Sequence, residues 1–108
     1  MNDTVINLAS AFSPSPAGRY YDDGPFPGEK FLKELLLPAL REYSHVTIEL
    51  DGTNGMGSSF LEEAFGGLVR QGFTEADLRT RLHIESARPS YTERIWNYIQ
   101  HATADAHH

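Results

Sequence analysis

The chain has 108 residues, with nine basic against fifteen acidic side chains and a formal charge of −6. That length allows one domain around one core, and 40 % hydrophobic with 11 % aromatic residues marks a globular chain rather than a disordered one. Without cysteine there is no disulfide, no thiolate metal site and no cysteine nucleophile, and the scattered Lys and Arg residues leave no basic stripe for nucleic acid.

The first ten residues, MNDTVINLAS, hold neither a basic leader nor a long apolar stretch. No run approaches the roughly 18 apolar residues of a membrane helix. The expectation is a cytoplasmic protein with no direct contact to nucleic acid or membrane. Thr4 to Ala9 alternates and is β-branched, which predicts a first strand. SAFSPSPAG then interrupts regular structure with two prolines and a glycine. Arg19 to Asp22 is expected to pair as a short second strand, ahead of DDGPFPG, where turn chemistry accounts for Asp22 and Asp23.

From Gly28 the apolar residues Phe31, Leu32, Leu35, Leu36, Leu40 and Tyr43 recur at helical spacing. Pro38 removes a backbone donor and crowds the carbonyl of Glu34, so a kink or break is expected there. HVTIEL, residues 45–50, is the clearest strand, and its alternation suits a strand covered on one face. A helix from about Ser59 to Arg70 aligns Phe60, Leu61, Ala64, Phe65, Leu68 and Val69. Thr74 with Asp77 predicts a cap for a short helix, and LHIE at 82–85 a brief strand. Ser90 with Glu93 forms a capping box for a last helix that packs Ile95, Trp96 and Ile99. The tail from about residue 103 is expected to fray.

The stretch DGTNGMGSSF, residues 51–60, joins the central strand to its helix. Gly52 and Gly57 imitate a phosphate loop, but Ser58 stands where the motif lysine belongs and Asp51 adds repulsion towards an anion. Asp51, Gly52, Gly55 and Gly57 are therefore expected to shape a strand-to-helix turn. Ser59 and Glu62 spell a capping box, with Ser58 an alternative N-cap. A helix N-terminus also tolerates a phosphate, so a serine there can be both cap and switch.

These residues resemble a known family. HVTIELDGTNGMGSSFLEEAFGGLV is similar to the central strand, loop and helix of STAS domains, and more closely to the small bacterial STAS-like domains. Ser58, Ser59, Phe60, Leu61, Glu63, Ala64, Phe65 and Gly66 match the Ser-Ser-Phe-Leu-x-Glu-Ala-Phe-Gly segment of that family. Gly28, Glu29, Phe31 and the run LLLPAL also fit, and the resemblance covers roughly residues 18 to 85. It implies a partner-switching module like the anti-sigma-factor antagonists, in which a histidine-kinase-like ATPase phosphorylates the loop. By motif position Ser59 falls on the phosphorylated residue and Ser58 precedes it. Gly57 stands where those antagonists keep Asp, and Phe60 where they keep Gly. Gly57, Ser59, Phe60, Glu62 and Glu63 are the partner surface that the resemblance implies.

The five histidines show no metal spacing in the sequence, and no catalytic triad is legible, so neither metal, cofactor nor enzymatic activity is expected. Glu62 and Glu63 point about 100° apart and are expected to be a solvated helix tip. His107 and His108 stay open between native residues and the remnant of a tag. The elements together predict one α/β domain over residues 1–108, a STAS-like sandwich with a small mixed sheet of about four strands and helices mainly on one face. A monomer or weak homodimer is expected. The alternative function is a sensor of small anions or nucleotides at the glycine loop and helix N-terminus.

Overall fold

Strands β1 (Asp3–Asn7), β2 (His45–Glu49) and β3 (Leu82–Glu85) form one parallel sheet in the order β1-β2-β3 in the computed structural model, which describes residues 2–106. The register aligns Ile6 with Ile48 and Ile48 with Ile84. The two-residue period then puts Val46, Ile48 and Leu82 on the same face, where all three are buried. The opposite face carries Val5, Thr47 and His83 in one row and Asn7, Glu49 and Glu85 in the next. Val5 there is 59 % exposed, so the helices cover one face only.

The sheet differs from expectation in two respects: it is parallel throughout, and among the described residues it has three strands. Residues 19–22 do not pair because Asp23 folds the segment back on itself. Its carboxylate accepts from the amides of Arg19 (3.1 Å) and Tyr20 (2.8 Å), and a 3₁₀ turn follows at Tyr21–Asp23. With no hairpin partner left, every strand is reached through a helical crossover, which makes the pairs parallel.

Five helices are described. α1 (Leu8–Ala11) is one turn capped by Asn7. α2 runs Gly28–Phe31, through a π-helical turn at Leu32–Leu36, then Leu37–Glu42. α3 likewise runs Ser58–Leu61, a π turn at Glu62–Gly66, then Gly67–Arg70. α4 is Glu75–Arg81 and α5 Pro89–Ala106. Pro38 neither breaks α2 nor ends it. The wide turn before it, in which the Leu37 amide reaches back to the Leu32 carbonyl, makes room at the carbonyl that the proline ring would crowd.

Phe31, Phe60 and Phe65 are fully buried, with ring centres 6.0 Å (31–60) and 6.2 Å (31–65) apart. Two glycines let α2 and α3 approach this closely. A methyl on Gly28 would lie 2.5 Å from the Phe60 carbonyl oxygen, and one on Gly67 2.6 Å from Leu32 Cδ2. Arg81 ties α4 to the end of α2: its guanidinium donates to the carbonyls of Leu40, Tyr43 (2.9 Å) and Ser44 (3.1 Å), supplying donors that a helix C-terminus lacks.

Thr74 caps α4 as expected, its hydroxyl accepting from the Asp77 amide at 3.1 Å. The Asp77 carboxylate, however, turns to Arg81 at 3.1 Å instead of reaching back. α5 begins at Pro89, a favoured first helical residue, so Ser90 lies inside the first turn rather than at the N-cap. Ile95 and Ile99 are buried, and Trp96 lies partly buried beneath the Arg79 guanidinium, 4.2 Å from the ring centre. The chain expected to fray from residue 103 stays helical to Ala106, where Ala102 is buried and the Thr103 hydroxyl donates to the Ile99 carbonyl at 2.8 Å. His107 and His108 lie outside the described residues.

Candidate functional site

The segment from Leu50 to Gly57 crosses the C-terminal ends of β2 and β3. Gly52 and Gly55 turn it with φ of 100° and 126°, a region that side chains disfavour. Gly57 has an ordinary extended backbone, φ −79° and ψ 166°, and shapes no turn. Asp51 pins the segment to the loop after β3, its Oδ1 accepting from the Ala87 amide at 2.9 Å. The amide of Thr53 donates to the Leu50 carbonyl (3.4 Å), that of Asn54 to the Pro14 carbonyl (2.7 Å) and that of Met56 to the Tyr91 hydroxyl (3.3 Å). With three amides engaged inside the protein, the loop is poorly furnished to wrap a phosphate.

The serine tip differs from the expected capping box. Gly57 is the N-cap of α3, so Ser58 and Ser59 are its first two residues. Both are exposed, and neither hydroxyl makes a hydrogen bond among the described residues. Glu62 does not reach back to the helix start because two arginines hold it. Arg19 Nη1 donates to Oε1, while Arg70 Nη1 donates to Oε2 at 2.7 Å and Nη2 to Oε1 at 3.2 Å. Glu63 joins the cluster, 3.4 Å from Arg19 and 3.5 Å from Arg70. The two carboxylates expected to be a solvated acidic tip are thus neutralised in a four-residue ionic network. Burial opposes the Glu62 charge, but the hydrogen bonds from Arg70 and Arg19 outweigh it and hold the carboxyl below its ordinary value.

Gly66 makes that network possible. Residues 62, 66 and 70 share a helical stripe, and a methyl on Gly66 would sit 2.6 Å from Glu62 Oε2 and 3.5 Å from Arg70 Nη1. The bare glycine lets the ion pair close over it. Phe60, expected in the partner surface, has no exposed area. Its ring lies among Phe12, Phe31 and the core, so it positions the tip from beneath.

Beside the tip, Leu50, Asp51, Gly52, Thr53, Ser86, Ala87, Arg88 and Tyr91 line a cavity of about 160 Å³. It opens where open α/β sheets commonly receive ligands, beyond the carboxyl ends of the strands. Sequence reasoning passed over Arg19, Arg70, Arg88 and Tyr91. Arg70 had a signal, since it follows Glu62 by two helical turns. Arg19, Arg88 and Tyr91 come from distant segments and carried none.

No helix among the described residues is long and apolar enough to cross a membrane. No curated protein and no solved structure matches the chain. A family model described as "STAS-like domain of unknown function (DUF4325)" matches residues 27–92, which is more than half of the chain and contains α2, β2, α3, α4, β3 and the start of α5. The close-packing Gly28, the serine tip and the Glu62–Gly66–Arg70 stripe all lie within that match, and the chain belongs to this STAS-like family.

Proposed function

We propose that the chain is a regulatory protein–protein interaction module that engages its partner through the free end of α3, as anti-sigma-factor antagonists do, without catalysis of its own. The observation that carries this proposal is that the Ser58 and Ser59 hydroxyls stand exposed at a helix N-terminus and cap nothing. A serine kept only for capping would place its oxygen on an amide of the first turn. Here Gly57 occupies that position, and both oxygens are open to a partner or a kinase. The amides that begin α3 have no intrahelical acceptor, which makes the tip a place where phosphate charge is tolerated. Because Arg19 and Arg70 already balance Glu62 and Glu63, charge added at Ser59 dominates the local field.

The partner class implied by the family resemblance is a histidine-kinase-like ATPase domain, released when phosphate at Ser59 adds repulsion and desolvation cost. Intact-mass measurement after incubation with such an ATPase and ATP, with binding titrations of wild type and Ser59→Asp, tests this. Phosphate on Ser59 and roughly tenfold weaker binding of the variant, about 1.4 kcal/mol, are expected. An unmodified chain whose Ser59→Asp variant binds equally well refutes the switch, and failure of both to bind refutes the partner assignment.

A second function, sensing of a small anion, draws on the cavity and on Arg88 at its wall, which there must outweigh the opposing charge of Asp51. Its 160 Å³ falls below the roughly 300 Å³ at which drug-sized pockets begin, so the fitting ligand is a phosphate or small carboxylate rather than a nucleotide. Calorimetry with such anions should register heat that Arg88→Ala abolishes. No heat with the wild type would dismiss it.

A further inference from the structure

The uncovered face of the sheet brings two histidines together from separate strands. His45 opens β2 and His83 is the second residue of β3, and the register, which aligns His83 with Thr47, sets them on a diagonal. Nδ1 of His45 and Nε2 of His83 stand 3.4 Å apart. The ring centres are 5.6 Å apart with planes inclined by 22°. The imidazoles therefore meet edge to edge, nitrogen facing nitrogen, and do not stack. Neither facing nitrogen has another hydrogen-bond partner among the described residues.

Metal–imidazole bonds are about 2.0–2.1 Å long, so two nitrogens 3.4 Å apart subtend about 110° at a shared ion, close to the tetrahedral angle. We propose that His45 and His83 form a two-imidazole surface site for a divalent transition-metal ion. Cu²⁺ should bind most tightly, and Zn²⁺ suits the same donors. Both residues sit in the strand ladder, and the His45 amide is further held by the Asn2 carbonyl at 3.2 Å. Because the nitrogens face each other along the line between the rings, each ring must turn by about 35° to aim its lone pair at a shared ion, while the strand backbones stay in place. No group of three or more histidines or carboxylates converges anywhere among the described residues, so water completes the coordination shell. The site uses none of the residues at the α3 tip and is independent of the function proposed above.

Sub-stoichiometric Cu²⁺ added to isotope-labelled protein should broaden the amide signals around His45 and His83 first, leaving Ser58 and Ser59 sharp. In Zn²⁺ calorimetry, His45→Gln and His83→Gln should each weaken binding by more than about tenfold, the loss that comes from disturbing even a ligand's hydrogen-bond partner. Broadening confined to His101 and the chain end, or Zn²⁺ affinity unchanged in either variant, overturns the proposal. Should a variant fail to fold, the wild-type broadening map decides alone.

Discussion

Replacing Gly28 with alanine asks whether the approach of α2 to α3 depends on a missing methyl group. The added carbon would lie 2.5 Å from the Phe60 carbonyl oxygen, 3.0 Å from Glu63 Cβ and 3.2 Å from the Ala64 amide nitrogen. Two of these three neighbours are main-chain atoms, so relief means displacing a helix rather than turning a side chain. Overpacking of a tight core costs about 1–3 kcal/mol, and a backbone obstacle belongs in the upper part of that range. Alanine recovers up to about 1 kcal/mol over glycine inside a helix, but Gly28 is the first residue of α2 and gains little of it. The expected net loss is about 2 kcal/mol, or about 8–16 °C in Tm for a domain near this size. Gly67→Ala is the internal control. Its methyl would meet the tip of Leu32 at 2.6 Å, a flexible group, and it lies inside α3, where the helix gain applies. That variant should stay within about 1 kcal/mol of wild type. Urea denaturation followed by far-ultraviolet circular dichroism measures both. A Gly28→Ala protein as stable as wild type, or less affected than Gly67→Ala, would show that the approach of α2 to α3 does not depend on the missing methyl.

Glu62→Gln should lose stability at neutral pH but not in acid. The folded carboxyl lies below its ordinary value of 4.5, so its contribution is complete above that value and fades as pH falls through the lower folded one. With Arg70 45 % exposed, solvent screening limits the difference to about 1 kcal/mol; a gap between the two proteins that does not change with pH counts against the network. Ser58→Ala and Ser59→Ala should each alter stability by less than about 0.5 kcal/mol, whereas Thr74→Ala, which removes a bonded cap, should cost about 1 kcal/mol. Equal losses in thermal unfolding would show that a tip serine does cap α3.

What the sequence disclosed followed from local period. Val46 and Ile48 alternate with polar neighbours, and Phe60, Leu61, Ala64, Phe65 and Leu68 repeat at helical spacing; all seven are buried. The departures come from groups that meet only in three dimensions. Asp23 gathers two nearby amides and dissolves the strand expected at Arg19–Asp22. Arg19, 43 positions before Glu62, draws that carboxylate away from the capping box its spacing promised. In the serine motif, Gly57 takes the N-cap position that the spacing assigned to a serine, and Phe60, expected at the surface, is buried; a linear pattern does not distinguish these roles.

The strand order also bears on how the chain folds. Asp3 pairs with His45 and Val46 with Leu82, so each pairing closes a loop of about 40 residues. Among the described residues no two strands are joined by a hairpin, so neither pairing can zip from a local turn. Chain entropy is lost before the ladder returns any hydrogen bond, which slows parallel sheets relative to helical folds. α2 and α3, which lie between the paired strands, shorten those closures once they form and meet over Gly28 and Gly67. The packing of α2 against α3 at Gly28 therefore joins the two crossovers that lead into and out of β2.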